Sequence, residues 1–342
     1  RIQNAIKDQL DFCPTLGPKF ITKFKQEYTN KLLDLLKLDG KIFYTTSGSE
    51  SVENALKIAR DVTKKNYILR RKASYHGATL GSLSVTGDWR SDDFLTLSDY
   101  SLTIPEPFEE DAISKTEELI IKNKDRGIAA FILETITGGN GVYIPSRDWF
   151  EAIKNLCDKH HILLILDEVV CGFYRTGKAF GFHHYNIEPD MVCLSKSITG
   201  GFIPFGAVYV GEKLSKHYDN KKLKCGLTNY AHPLGLRAMN EVLDICSEKG
   251  FLNQLDTNIK TMSDFRTKAS KLSCVNTIRS IGMLMAIELR GEHKFEDFLD
   301  ASLYINYVSG HLILAPALNF NNLELSDVFY NYLLKYLSNI SD

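Results

Sequence analysis

The sequence predicts an α/β fold: a mostly parallel sheet flanked by helices, followed by a smaller α+β C-terminal domain. Three observations predict it. Short apolar runs alternate with helix-period patterns through the first two thirds of the chain, as expected for a sheet covered on both faces. Two of those runs end in carboxylates, Glu134 and Asp167, and a third is followed at once by Lys196, so chemistry collects where ligands bind in open α/β sheets. From about Pro233 the alternation gives way to long helical stretches and isolated strands.

In chain order, residues 41–46 (KIFYTT) read as a strand, and residues 49–64 as a helix with Val52, Ala55, Leu56, Ala59 and Val62 on one face. Residues 67–70 form a short strand candidate, and residues 129–134 (AAFILE) a buried one. Arg147–Lys159 reads as a helix with Trp149, Phe150, Ile153 and Leu156 inward, and residues 162–167 (ILLILD) as a continuous apolar strand. Met191–Leu194 and residues 206–210 are two more strands. A helix from Pro233 to about Lys249, a second polar helical stretch, strands at residues 283–290 and His311–Leu314, and a closing helix at residues 323–337 complete the chain. The expected division is an N-terminal segment 1–30 packed with the small domain, a large domain 31–235 and a small domain 236–342. There is no internal repeat and no low-complexity segment.

With 342 residues, 44% hydrophobic and 24% charged, the chain is long enough to bury a large core without staples. Its net charge of −1 supplies no field directed at nucleic acid or a membrane surface. No apolar run approaches the ~20 residues of a membrane span. The seven cysteines are odd in number and none has CxxC spacing, which argues against a disulfide framework and a zinc site, so no metal is expected and a reducing cytoplasm fits. No signal peptide stands at the start, but residue 1 is Arg, so a truncated N-terminus is expected.

The strongest chemical signal is Ser195-Lys196-Ser197, after an apolar strand and before Gly200-Gly201. A lysine there also suits a plain surface loop. Asp167 ends the preceding strand 29 residues earlier. Lysine and acid together match what pyridoxal chemistry needs: an amine for the imine and a carboxylate for the ring nitrogen. Alone, Asp167 equally suits a helix cap or an ion pair. Thr45–Glu50 (TTSGSE) joins a strand to a helix through Gly48 and Ser49, an arrangement that binds anions at a helix start, or is simply an N-cap at Ser49. It is neither a Walker loop nor a GxGxxG fingerprint. Ser74-Tyr75-His76-Gly77 offers an aromatic that could stack on a flat heterocycle, or a core tyrosine beside a hydrogen-bonded histidine.

Together, YTTSGSESVENALKIAR, SYHGATLGSLSVTG, LDEVVCGFYRTGKAFGFHHYNIEPDMVCLSKSITGG and LTNYAHPLG resemble the class III (ornithine- and 4-aminobutyrate-type) aminotransferases of PLP fold type I, in order and spacing over most of residues 40–240. The resemblance implies a seven-stranded-type sheet and pyridoxal 5'-phosphate as cofactor. It implies that Lys196 forms the Schiff base and shuttles the proton, and that Asp167 pairs with the pyridinium nitrogen. Val169 and Tyr75 would flank the ring, with His76 local to the site, Gly48 and Ser49 would hold the phosphate, and Glu134 would lie near the substrate. Thr228 would reach the phosphate of a neighbouring subunit, implying a homodimer with shared sites. Arg175 matches a structural position, and residues 280–289 match the start of the small-domain sheet.

Three departures stand out. Val170 occupies a position where many members carry Gln against the cofactor's phenolic oxygen. No Arg follows Arg290, and Asn306 stands near the expected carboxylate-binding Arg. RIQNAIKDQL resembles a helix that in the family follows several dozen further residues. The function expected is amino transfer from a primary amine or amino acid to a keto acid or aldehyde. Alternatives are an aminomutase or racemase of the same family, or a non-catalytic PLP-binding homologue. A nucleotide-binding role for the SGS turn lacks the acidic ribose-binding residue.

Overall fold

A computed structural model describes residues 1–293, 299–300, 303–304, 306–308 and 310–341, with backbone alone for residues 299, 300, 303, 304 and 341. The chain divides into two compact units. The first comprises Arg1–Thr135, Pro145–Phe173 and Phe180–Ile245; the second comprises Ile136–Ile144, Tyr174–Ala179 and Cys246–Asp342.

The first unit holds helices α1 (Ile2–Phe12) and α2 (Lys23–Leu36), strand β1 (Gly40–Thr45), α3 (Gly48–Thr63), β2 (Tyr67–Arg71), α4 (Leu80–Ser84), β3 (Ser101–Ile104), α5 (Ala112–Lys122), β4 (Ile128–Glu134), α6 (Arg147–Lys159), β5 (Leu163–Asp167), β6 (Met191–Leu194), β7 (Gly206–Gly211), α7 (Glu212–Ser215) and nearly all of α8 (Pro233–Cys246). Its seven strands lie in the order β1-β7-β6-β5-β4-β2-β3. Only β7 runs against its neighbours; the other pairs are parallel, as expected. Every residue of β4 is buried, which explains its unbroken apolar run. Against it packs α3, whose Val52, Ala55, Leu56, Ile58 and Ala59 are buried with Ala130 and Ile132. Helix α6 starts on Ser146, whose side chain accepts the Trp149 N–H, and buries Trp149, Phe150, Ile153 and Leu156 as its period predicts.

Residues 1–30 belong to this first unit. There Arg1 Nε donates to Glu241 Oε1 at 2.9 Å, and α1 buries Ala5 and Gln9.

The second unit holds α9 (Lys249–Ala269), β8 (Val275–Ile281), β9 (Leu284–Leu289), a short ribbon of β10 (Leu299–Asp300) and β11 (Leu303–Tyr304), β12 (Asn306–Val308), β13 (His311–Leu314), α10 (Asn322–Asp327) and α11 (Lys335–Ser341). An antiparallel sheet in the order β12-β13-β9-β8 forms its floor. Met283, Met285, Ile287 and Leu312 pack there with Phe265 and Phe329, whose rings stack at 4.7 Å. The single closing helix expected at 323–337 is instead interrupted by wide π-type turns at Val328–Leu334. Arg175 is structural: its Nη1 donates to the carbonyls of Met283 and Pro316. Among the described residues no helix is long and apolar enough to cross a membrane.

Candidate functional site

The carboxyl ends of β4, β5 and β6 adjoin in the first unit. Glu134 and Asp167 are register partners, and Asp167 pairs in turn with Cys193, two residues before Ser195. The fold therefore brings Glu134, Asp167 and Lys196 to one end of the sheet, past the carboxyl ends of its central strands.

Asp167 is buried and both oxygens are engaged. Val169 N–H donates to Oδ1 at 3.0 Å, and His76 Nδ1 lies 2.8 Å from Oδ2. The His76 side chain is 0% exposed and that of Asp167 5%. The His76 backbone N–H donates to Thr86 Oγ1 at 2.9 Å, and Nε2 is a buried atom with no hydrogen bond. The next strand end positions Tyr75, whose N–H donates to Glu134 Oε1 at 3.1 Å. The Tyr75 ring is half-buried and carries the Arg90 guanidinium 4.6 Å from its centroid.

Lys196 opens a single 3-10 turn, Lys196–Thr199, and its side chain is exposed. Its φ of 46° lies in the left-handed region, which non-glycine residues seldom adopt. Ser195 is tied down beside it, its hydroxyl donating to the Phe205 carbonyl at 2.8 Å.

The turn from β1 into α3 is the third part. Ser47, not Ser49, caps the helix: its Oγ accepts the Glu50 N–H at 3.2 Å, while Glu50 Oε2 accepts from Thr46 N and Oγ1 at 2.8 and 2.6 Å. The first intrahelical bond is Ser51 N–H to the Ser47 carbonyl, which leaves the N–H groups of Gly48 and Ser49 in the orphan first turn at the positive end of α3. Ser49 Oγ accepts the Ala78 N–H at 3.3 Å, joining this turn to the Tyr75-His76-Gly77 loop. A Cβ on Gly48 would stand 3.2 Å from both Val169 methyls and 3.4 Å from Ser195 Cβ, so Gly48, Val169 and the residue before Lys196 meet in one place. Of the sequence-derived candidates only Thr228 stays outside these links; it is exposed in the irregular stretch before α8.

Sequence reasoning missed Glu168. Its carboxylate is fully buried and accepts from Thr135 Oγ1 at 2.6 Å, Gly181 N at 2.8 Å and Phe182 N at 2.9 Å. Burial pushes its carboxyl up to about 7, against the pull of those three donors, and Asp167 adds to the rise. The only sequence signal was a second acid beside Asp167.

These features fit a flat, phosphorylated, nitrogen-containing ring. A helix start with glycine clearance suits a phosphate, and a buried carboxylate backed by histidine suits a ring nitrogen. A half-buried aromatic suits a ring face, and an exposed lysine can reach a carbonyl carbon.

The sequence profile described as aminotransferase class-III matches residues 1–330. The chain is 33% identical over 299 residues to the [LysW]-aminoadipate semialdehyde/glutamate semialdehyde transaminase of Sulfurisphaera tokodaii, covering 85% of this chain and 73% of that protein. It is 30% identical over 295 residues to gamma aminobutyrate transaminase 2 of Solanum lycopersicum, covering 78% of this chain but spanning 64% of the relative's length. Its fold is similar to that of the taurine:2-oxoglutarate aminotransferase of Bifidobacterium kashiwanohense, solved in complex with PLP and glutamate, with TM-score 0.90, 26% identity, and coverage of 99% of this chain and 84% of that one. The expectation of fold type I holds on that likeness and on the sheet described above.

Proposed function

This chain belongs to the class III aminotransferase family, and from that premise we propose that it is a PLP-dependent transaminase. It moves an amino group from a primary amine or amino acid to a keto acid or aldehyde, and works as a homodimer in the cytoplasm. The observation that carries this reading is the meeting of three parts at the carboxyl end of the sheet: the Ser195-Lys196 turn, the Asp167–His76 pair, and the Gly48-Ser49 turn packed on Val169.

The bound cofactor supplies a conjugated ring that accepts the electron pair left when a substrate Cα–H bond breaks. Lys196 Nζ is the amine that would hold the cofactor and would carry the proton. Asp167 would hold a proton on the ring nitrogen, and His76 fixes the acid's orientation through Nδ1. Gly48 and Ser49 bind the phosphate with the first-turn N–H groups of α3. Tyr75 and Val169 would flank the ring, and Glu134, which holds the Tyr75 backbone, would lie near the substrate.

Exposed Trp89, Phe94 and Leu95 support association with a second copy, from which Thr228 would complete the phosphate site. No disulfide joins the seven cysteines among the described residues, which supports a reducing compartment.

The test is an absorbance spectrum of the purified chain with PLP, beside Lys196→Ala. The expected result is a visible band that borohydride abolishes, that the variant lacks, and that an amino donor bleaches. A folded wild type with excess PLP and no such band would sink the reading.

A further inference from the structure

We propose that Arg90 is a positioning residue that sets the plane of Tyr75; the role rests on the transaminase reading above. The Arg90 guanidinium carbon lies 4.6 Å from the Tyr75 ring centroid, inside the ~6 Å reach of a cation–π contact. Arg90 is itself held. Its N–H donates to Asp88 Oδ1 at 3.0 Å, and its Nη1 pairs with Asp88 Oδ2. Asp88 caps the single 3-10 turn Trp89–Ser91, and its side chain is only 6% exposed. The Trp89 ring adds a second aromatic contact at 4.8 Å. The guanidinium is thus clamped between a carboxylate and two rings.

Tyr75 is pinned by its backbone, through its N–H to Glu134, and by its neighbour His76, bonded to Asp167. Those bonds act on the backbone and the neighbouring residue, not on the ring itself. The flat cation lying over the ring bears directly on its plane, and it places a permanent positive charge beside the site. Asp88 matters at one remove, by aiming the fork.

The test compares PLP affinity and the pH midpoint of the visible band in wild type, Arg90→Met, Tyr75→Leu and the double variant. Arg90→Met is expected to weaken PLP binding about two- to fivefold, the worth of one partly exposed cation–π contact. It is also expected to move the midpoint to higher pH, because a fixed cation that disfavours protonation nearby is gone. In the Tyr75→Leu background the same change should add nothing to the loss of affinity, since Arg90 acts through the ring. An unchanged affinity and midpoint in Arg90→Met would overturn the role, as would a full affinity loss in both backgrounds. A wild type without any band sinks the transaminase reading and this role together; a normal wild-type band beside an indifferent Arg90→Met sinks this role alone. Should Arg90→Met fail to fold, Asp88→Asn keeps a cap but releases the fork, and must shift affinity and midpoint in the same directions for the role to stand.

Discussion

Asp167 and His76, 91 positions apart in sequence, meet as a buried pair with Oδ2 and Nδ1 2.8 Å apart, while the other Asp167 oxygen takes the Val169 N–H at 3.0 Å. The acid at the end of β5 is therefore oriented from two sides by segments that also carry Tyr75 and Val169. One strand end thus fixes the acid and both residues assigned to the ring faces.

Removing the histidine's half of that pair should cost function more than fold. His76→Leu leaves a buried carboxylate short of one donor, a loss of about 1.5–3 kcal/mol for a bond to a charged group, or roughly 10–100-fold if it falls on the transition state. We expect kcat/KM for transamination to fall by that factor while the urea midpoint moves modestly. His76→Gln, which can still donate, should recover part of the activity. Equal activity in both variants would show that the contact only fills space.

Glu168 gives a pH signature. Its carboxyl is raised from 4.5 to about 7 in the folded chain, so the folded state keeps a proton that the unfolded state has already released across that window. Stability from this group is therefore greatest below pH 4.5, falls as pH rises toward about 7, and is flat above. The full effect is at most about 3 kcal/mol. Glu168→Gln abolishes the titration but turns one donor toward the Gly181 N–H, so it should be less stable at pH 5 and show a flatter urea-midpoint profile between pH 5 and 7. An unaltered slope would remove Glu168 as its source.

Three glycines should rank by what a methyl group meets. At Gly77, with φ +129°, an added Cβ would stand 2.4 Å from Ser49 Oγ and 2.6 Å from Ser82 Oγ. At Gly206 it would stand 2.5 Å from Thr45 Oγ1 and 2.6 Å from the Ser47 carbonyl. At Gly48 the contacts open to 3.2 Å, against the Val169 methyls. Gly77→Ala and Gly206→Ala should each lose about 2–3 kcal/mol in urea unfolding, and Gly48→Ala under ~1. Gly48→Ala should nonetheless weaken PLP binding, because its Cβ occupies the approach to the helix start. A Gly48 variant that loses stability but binds PLP normally would contradict this division.

What could be read from sequence follows burial. Strands β4, β5 and β6 are almost wholly buried, so their residues form unbroken apolar runs whose ends mark Glu134, Asp167 and Lys196. Strand β3 was not foreseen because only Ile104 of its four residues is buried, and β8 because Val275 alone of its seven is fully so. Helix α5 carries its inward face on Ala112, Thr116 and Ile120, too weak an apolar stripe to announce a helix. Ser47 and Ser49 both flank Gly48; Ser47 is the cap because Glu50 stands three residues on and gives it its N–H, an S-x-x-E spacing that the sequence does carry. The His76–Asp167 and Arg90–Tyr75 contacts join segments that only the folded chain makes neighbours.

Lys196 should stand where stability and function part. Its φ of 46° places a side-chain-bearing residue in the left-handed region, at a cost of roughly 1–2 kcal/mol that glycine does not incur. Glycine raises the entropy of the unfolded chain, which takes back about 0.4–1 kcal/mol of that relief. Lys196→Gly should therefore unfold at a urea midpoint at or above that of Lys196→Ala, and the ordering should hold without PLP, where covalent attachment plays no part. Both variants should lose transamination entirely. If Lys196→Gly is clearly the less stable of the two, the left-handed backbone is not a strain the fold carries on behalf of this lysine, and the turn after β6 must draw its shape from Ser195 and Gly200 instead.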